Sequence, residues 1–85
     1  MKVLYVAGLR QTVGVGEEDV EPPAEVDSVR GLIDWLRSRS ARHATAFAKT
    51  ALVRAAVNQE HVSFDHPIAA GDEVAFFPPV TGGAR

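Results

Sequence analysis

Val29, Leu32, Ile33 and Leu36 recur at i, i+3, i+4 and i+7, which puts one apolar stripe along one helix. A stripe of this kind must be covered. The rest of the chain offers mostly short alternating runs, so the covering layer is predicted to be a sheet. Asp27 or Ser28 is placed to cap the helix, which should fray near Ser38 to Ser40, with Trp35 shielding the edge of the stripe. At 85 residues the chain makes one domain with a thin core.

The strands are read from period-two alternation. Lys2 to Leu9 is the first, with Val3, Tyr5 and Ala7 on one face and Leu4 and Val6 on the other. Gly8 and Gly14-Val15-Gly16 bracket a loop, and Val20 marks a short second strand that closes a hairpin. Pro22-Pro23 stops that strand and places it at an edge. Ala41 to Thr50, rich in alanine with Phe47, is a short second helix or an irregular arm. Leu52 to Val57 is a strand, Asn58-Gln59-Glu60 a turn, and His61 to Phe64 a short return strand. Turns at Asp65-His66-Pro67 and Gly71-Asp72 lead into the last strand, Glu73 to Phe77. This order suits an α+β sandwich, one helix across one mixed sheet.

The ending has a different character. Val74 and Phe76 face the core and Ala75 and Phe77 the other side; Pro78-Pro79 then ends the strand, because proline brings no N–H to a ladder. Thr81-Gly82-Gly83 has almost no side chain to pack, and an ordered glycine is entropically costly. The chain therefore divides into a folded domain, residues 1–77, and a flexible tail, residues 78–85. Fully extended, Pro78 to Gly83 reaches about 20 Å, enough to pass through a narrow channel into a partner.

Several function classes fall away. No apolar run approaches the length of a membrane span and no signal peptide is visible, which predicts a cytoplasmic protein. A chain without cysteine forms no disulfide, no zinc–thiolate site and no side-chain persulfide. The net charge of −2 gives no reason to expect nucleic acid or an anionic membrane. The acidic run Glu17, Glu18, Asp19, Glu21 is taken as a solvated face. His43, His61 and His66 lack metal-ligand spacing, so no metal site is expected. Ser63, Asp65 and His66 are triad residue types crowded on one turn without a nucleophile elbow, and Asp65 reads as a turn former. The chain is thus not an enzyme on its own. Any chemistry sits at the end of the arm, where a terminal carboxylate can be adenylated and a sulfur donor can displace AMP to leave a thiocarboxylate. Glycine suits that role because no Cβ crowds the reacting carbonyl.

Three stretches carry a resemblance: Ala55-Ala56-Val57-Asn58-Gln59, Val62-Ser63-Phe64-Asp65-His66-Pro67, and Gly71-Asp72-Glu73-Val74-Ala75-Phe76-Phe77-Pro78-Pro79-Val80-Thr81-Gly82-Gly83. Together with the opening Lys2-Val3-Leu4 and Arg10, they make the chain similar to the small-subunit family of molybdopterin synthase. The resemblance runs the length of the chain and is densest in its last third. It implies a β-grasp, ubiquitin-like fold, a mixed sheet packed on one main helix. It implies that Gly83 is adenylated with ATP by a ubiquitin-activating-like enzyme, with Gly82 as spacer. A sulfur donor protein then makes the thiocarboxylate, and no cofactor is held permanently. The charged chain docks on a large catalytic subunit, two small and two large forming a heterotetramer, and gives its sulfur to cyclic pyranopterin monophosphate to build the molybdopterin dithiolene. By position, the docking patch falls on Val6, His61 and Phe77, and the threading segment on Pro78, Pro79, Val80 and Thr81. Ala84-Arg85 follows the second glycine, so the expectation is a precursor trimmed by a protease to free the Gly83 carboxylate; the alternatives are that the two residues are foreign to the natural protein, or that this form never carries sulfur. The alternatives are a protein modifier joined through Gly83, a carrier for another pathway such as thiazole synthesis, and a plain interaction domain.

Overall fold

The computed structural model describes residues 1–79, so Val80 to Arg85 lie outside the described residues. Five strands, β1 (Lys2–Tyr5), β2 (Glu17–Asp19), β3 (Arg54–Val57), β4 (Glu60–Val62) and β5 (Glu73–Phe77), form one sheet in the order β2-β1-β5-β3-β4. β1 runs parallel to β5 and the other pairs are antiparallel, so the sheet is mixed. Three α-helices accompany it: α1 (Gly8–Val13), α2 (Val29–Arg37) and α3 (Ala41–Ala46). The predicted α+β, β-grasp arrangement is what the chain adopts, with α2 as its main helix.

The α2 stripe is buried as its spacing requires: Val29, Leu32, Ile33 and Leu36 are all inaccessible or nearly so. Ser28 is the cap, its Oγ accepting from the Gly31 N–H at 3.1 Å. Two more N–H groups of the first turn find carbonyls from a neighbouring turn, Val29 to His66 at 3.0 Å and Arg30 to Phe64 at 2.8 Å. Donors that a helix start ordinarily leaves open are thus met inside the fold. Against the stripe pack Val3, Tyr5, Ala55, Val57, Val74 and Phe76 from the inner face of the sheet, closed by Phe47. Phe47 stands edge-on to Phe76, ring centroids 5.0 Å apart. Burying each large side chain here contributes roughly 1.5–3 kcal/mol.

Some boundaries differ from the sequence reading. β1 stops at Tyr5, and the predicted loop from Gly8 to Gly14 is the helix α1. Ala7, at φ 55° and ψ −128°, turns the chain between them, and the Leu9 N–H donates to the Val6 carbonyl at 3.2 Å. Leu9 and Val13 are buried one turn apart, and Gly14 ends the helix at φ 102°, a left-handed conformation that suits glycine. Residues 41–50 resolve into α3, capped by Ser40, followed by buried Phe47. β3 starts at Arg54, because Thr50–Leu52 is a 3-10 turn that leaves Leu52 exposed, and β4 ends at Val62. The Asn58-Gln59 turn has both central residues at positive φ, which matches the twist of a two-residue hairpin.

Candidate functional site

The sheet has one face against the helices, and the strand registers fix what stands on the other. Leu4 lies opposite Ala75, Ala75 opposite Ala56, and Ala56 opposite His61. These four share the outer face, with Phe77 two residues beyond Ala75 on β5. Val6 follows β1 with the same parity as Leu4, and its N–H donates to the Phe76 carbonyl at 3.1 Å, which brings it alongside Phe77. Val6 is 46% exposed and His61 is exposed, while Phe77 is half-buried. The His61 and Phe77 rings meet at 5.0 Å between centroids and a 46° interplanar angle. Val6, His61 and Phe77, expected as one patch, therefore do lie on one face and at one end of it. Pro78, exposed, and Pro79, half-buried, leave from that same end. The remaining tail positions singled out in the sequence, Val80, Thr81, Gly82, Gly83, Ala84 and Arg85, lie outside the described residues.

The sequence profile of the ThiS family matches residues 3–83. A relative from Escherichia coli (strain K12), named molybdopterin synthase sulfur carrier subunit, is 48% identical over 83 residues, covering 98% of this chain and 99% of its own. The chain belongs to the ThiS family. Among solved structures, a Pyrococcus furiosus protein assigned as molybdopterin converting factor subunit 1 superposes at TM-score 0.75 with 40% identity, covering 93% of this chain and 95% of that one. Small archaeal modifier protein 1 of Haloferax volcanii superposes at TM-score 0.72 with 26% identity, covering 94% of this chain and 97% of that one.

This ThiS-family domain also carries a polar cluster on its inner side that the sequence reading missed. Glu18 pairs in register with Val3, so it shares the core-facing side of β2, while Glu17 and Asp19 face out. The solvated-face reading of the acidic run is corrected at this one position. The Glu18 carboxylate accepts from the Tyr5 hydroxyl at 2.5 Å and from His43 Nε2 at 2.7 Å. Ser40 Oγ meets His43 Nδ1 at 2.7 Å and also accepts the His43 N–H, so one serine caps α3 and sets the ring. Partial burial pushes the Glu18 carboxyl up, but the hydrogen bonds from His43 and Tyr5 and the charge of Arg39 outweigh it, and it lies below the usual range. Burial pushes the Tyr5 hydroxyl well above its ordinary value, and the Glu18 carboxylate adds to the shift. The signal was present in the sequence: Glu18 has the parity of Val20, which is buried.

The crowded triad types do not assemble. Asp65 binds the Arg30 guanidinium at 3.1 Å, and the backbone N–H of His66 closes a turn onto the Ser63 carbonyl. The outer face thus gathers Val6, His61 and Phe77, with Pro78 and Pro79 leaving beside them. No helix among the described residues is long and apolar enough to cross a membrane.

Proposed function

We propose that this chain is the sulfur-carrier subunit of a molybdopterin synthase. The observation that carries the reading is the near-full-length kinship with a molybdopterin synthase sulfur carrier subunit, at 48% identity. The placement of Val6, His61 and Phe77 on one exposed face at the tail root supports it. In this reading a protease removes Ala84-Arg85 and frees the Gly83 carboxylate. An activating enzyme joins that carboxylate to the α-phosphate of ATP and releases pyrophosphate. Sulfur released by the donor at the sulfide level then bonds to the carbonyl carbon as AMP departs, leaving the thiocarboxylate with no change of oxidation state. The Val6–His61–Phe77 face seats on the large subunit, and Pro78 to Thr81 thread toward its active site, with Gly82 as spacer. The proline pair keeps the arm extended and the glycines let the backbone lie close to channel walls.

Intact mass of the protein isolated from its own cells tests this directly. The expected species ends at Gly83 with one carboxyl oxygen exchanged for sulfur. A chain that forms an adenylate in vitro while still carrying Ala84-Arg85 would remove the trimming step. A chain shortened past Gly83 that still supports cofactor sulfuration would remove the carrier role.

A second reading has its own support in the likeness to a small archaeal modifier protein. Isopeptide conjugates through Gly83 in cell lysate would favour it over sulfur transfer.

A further inference from the structure

Beside the tail root, among α1, α3 and the 3-10 turn, lies a cleft of about 470 Å³. That size falls within the range of clefts that take up a ligand. Gly8 and Leu9 of α1, Ala46 of α3, Leu52, Val53 and Pro78 make much of its lining apolar. Leu9 and Val53 belong to the core, and Ala46 packs against it. Leu52 differs. The 3-10 turn keeps it out of the core, and at 56% exposure it is the most exposed large hydrophobic side chain among the described residues. Gly8 adds no side chain: a Cβ there would meet nothing within 4 Å, so the cleft is open along that wall. Water on these walls is unfavourable, and an apolar cover of the right size would displace it.

The chain supplies such a cover itself. Pro78 is already part of the lining, and Val80 follows two residues later, about 7 Å along an extended backbone. Of residues 80–85, Val80 alone carries an apolar side chain larger than a methyl group. We propose that in the free chain Val80 seats in this cleft against Leu9 and Leu52, and so holds the base of the arm on the body. The proline pair favours the seat. Pro78 and Pro79 have φ fixed by their rings, so little backbone freedom between the body and Val80 is left to lose. Burying one valine offsets the ordering of about one residue, so the contact opens readily when the arm is drawn away. The seat belongs to the free chain and holds whether or not the arm carries sulfur. Where it does, an arm entering another protein first leaves this cleft.

Methyl-labelled NMR of the full chain, alone in solution, tests this. Cross-peaks are expected from the Val80 methyls to those of Leu9 and Leu52. Leu52→Asp puts a charge into the cleft at an exposed position, so the fold should hold. In that variant the Val80 methyl resonances should move to the values of an isolated peptide of residues 78–85, with loss of the cross-peaks. Val80→Asp should shift the Leu9 and Leu52 methyls and leave those of the buried Leu32 and Ile33 in place. Peptide-like Val80 resonances in the wild-type chain overturn the seat, as do Val80 resonances that Leu52→Asp leaves unmoved. Cross-peaks seen only between differently labelled copies also overturn it, because the occupant is then a second chain. The carrier reading survives each of these results, since intact mass decides it separately.

Discussion

His61 reaches Phe77 across an intervening strand. Their rings meet at 5.0 Å although β3 runs between β4 and β5, and the residue beneath the crossing is Ala56. A methyl group in the middle strand lets two rings from the outer ones close over it. The result is a two-ring surface beside the tail root, which a lone aromatic would not provide.

Phe76 and Phe77 are adjacent in sequence and should separate cleanly by experiment. Phe76 is fully buried against Phe47, so Phe76→Ala is expected to cost roughly 3–5 kcal/mol in denaturant unfolding. Phe77→Ala removes an outer-face ring, and its main expected effect is weaker binding to the large subunit, by about 2 kcal/mol or roughly 30-fold. Chemical denaturation and titration calorimetry on both variants check the split. Equal stability losses would contradict the two-face assignment.

Stability should depend on acid through Glu18. Its carboxyl lies below the ordinary value of 4.5 in the fold, so its stabilisation is complete above that value and lost as pH falls through the folded one. Tyr5 runs the other way: its hydroxyl is raised from 10.0, so its contribution is complete below 10.0 and lost as the solution becomes more alkaline. The stability difference between wild type and Glu18→Gln should shrink as pH falls below about pH 4.5. Tyr5→Phe should lessen the alkaline loss. Urea midpoints across pH check both arms.

Gly14 closes α1 at φ 102°, a conformation that L side chains rarely adopt. Gly14→Ala should therefore destabilise by about 1–3 kcal/mol. A new Cβ would also press on the Arg42 guanidinium, but that is the far end of a flexible side chain and moves cheaply. Arg42→Ala in the same background should leave the loss in place if the backbone conformation is its source, as thermal unfolding would show.

The parts of the fold legible in the sequence were those with several residues at one spacing. Four apolar side chains announced α2, and alternation to Val74 and Phe76 announced β5 and its two faces. α1 was missed because six residues give only Leu9 and Val13 as apolar anchors, and its glycines drew the eye to a loop. Glu18 was misread because charge outweighed parity: a single inward carboxylate leaves no composition signal, and its donors Tyr5 and His43 come from distant segments. Val6, His61 and Phe77 were each placed by strand parity or by resemblance, but the ring contact over Ala56 depends on strand order, which no local pattern carries.

β5 is the middle strand of the sheet, held by β1 on one side and β3 on the other, and the tail is its direct continuation. Tension applied to the arm runs along the strand axis, so both ladders resist together by sliding, and neither opens one bond at a time. A pull on the chain beyond Phe77 therefore loads two neighbouring strands at once.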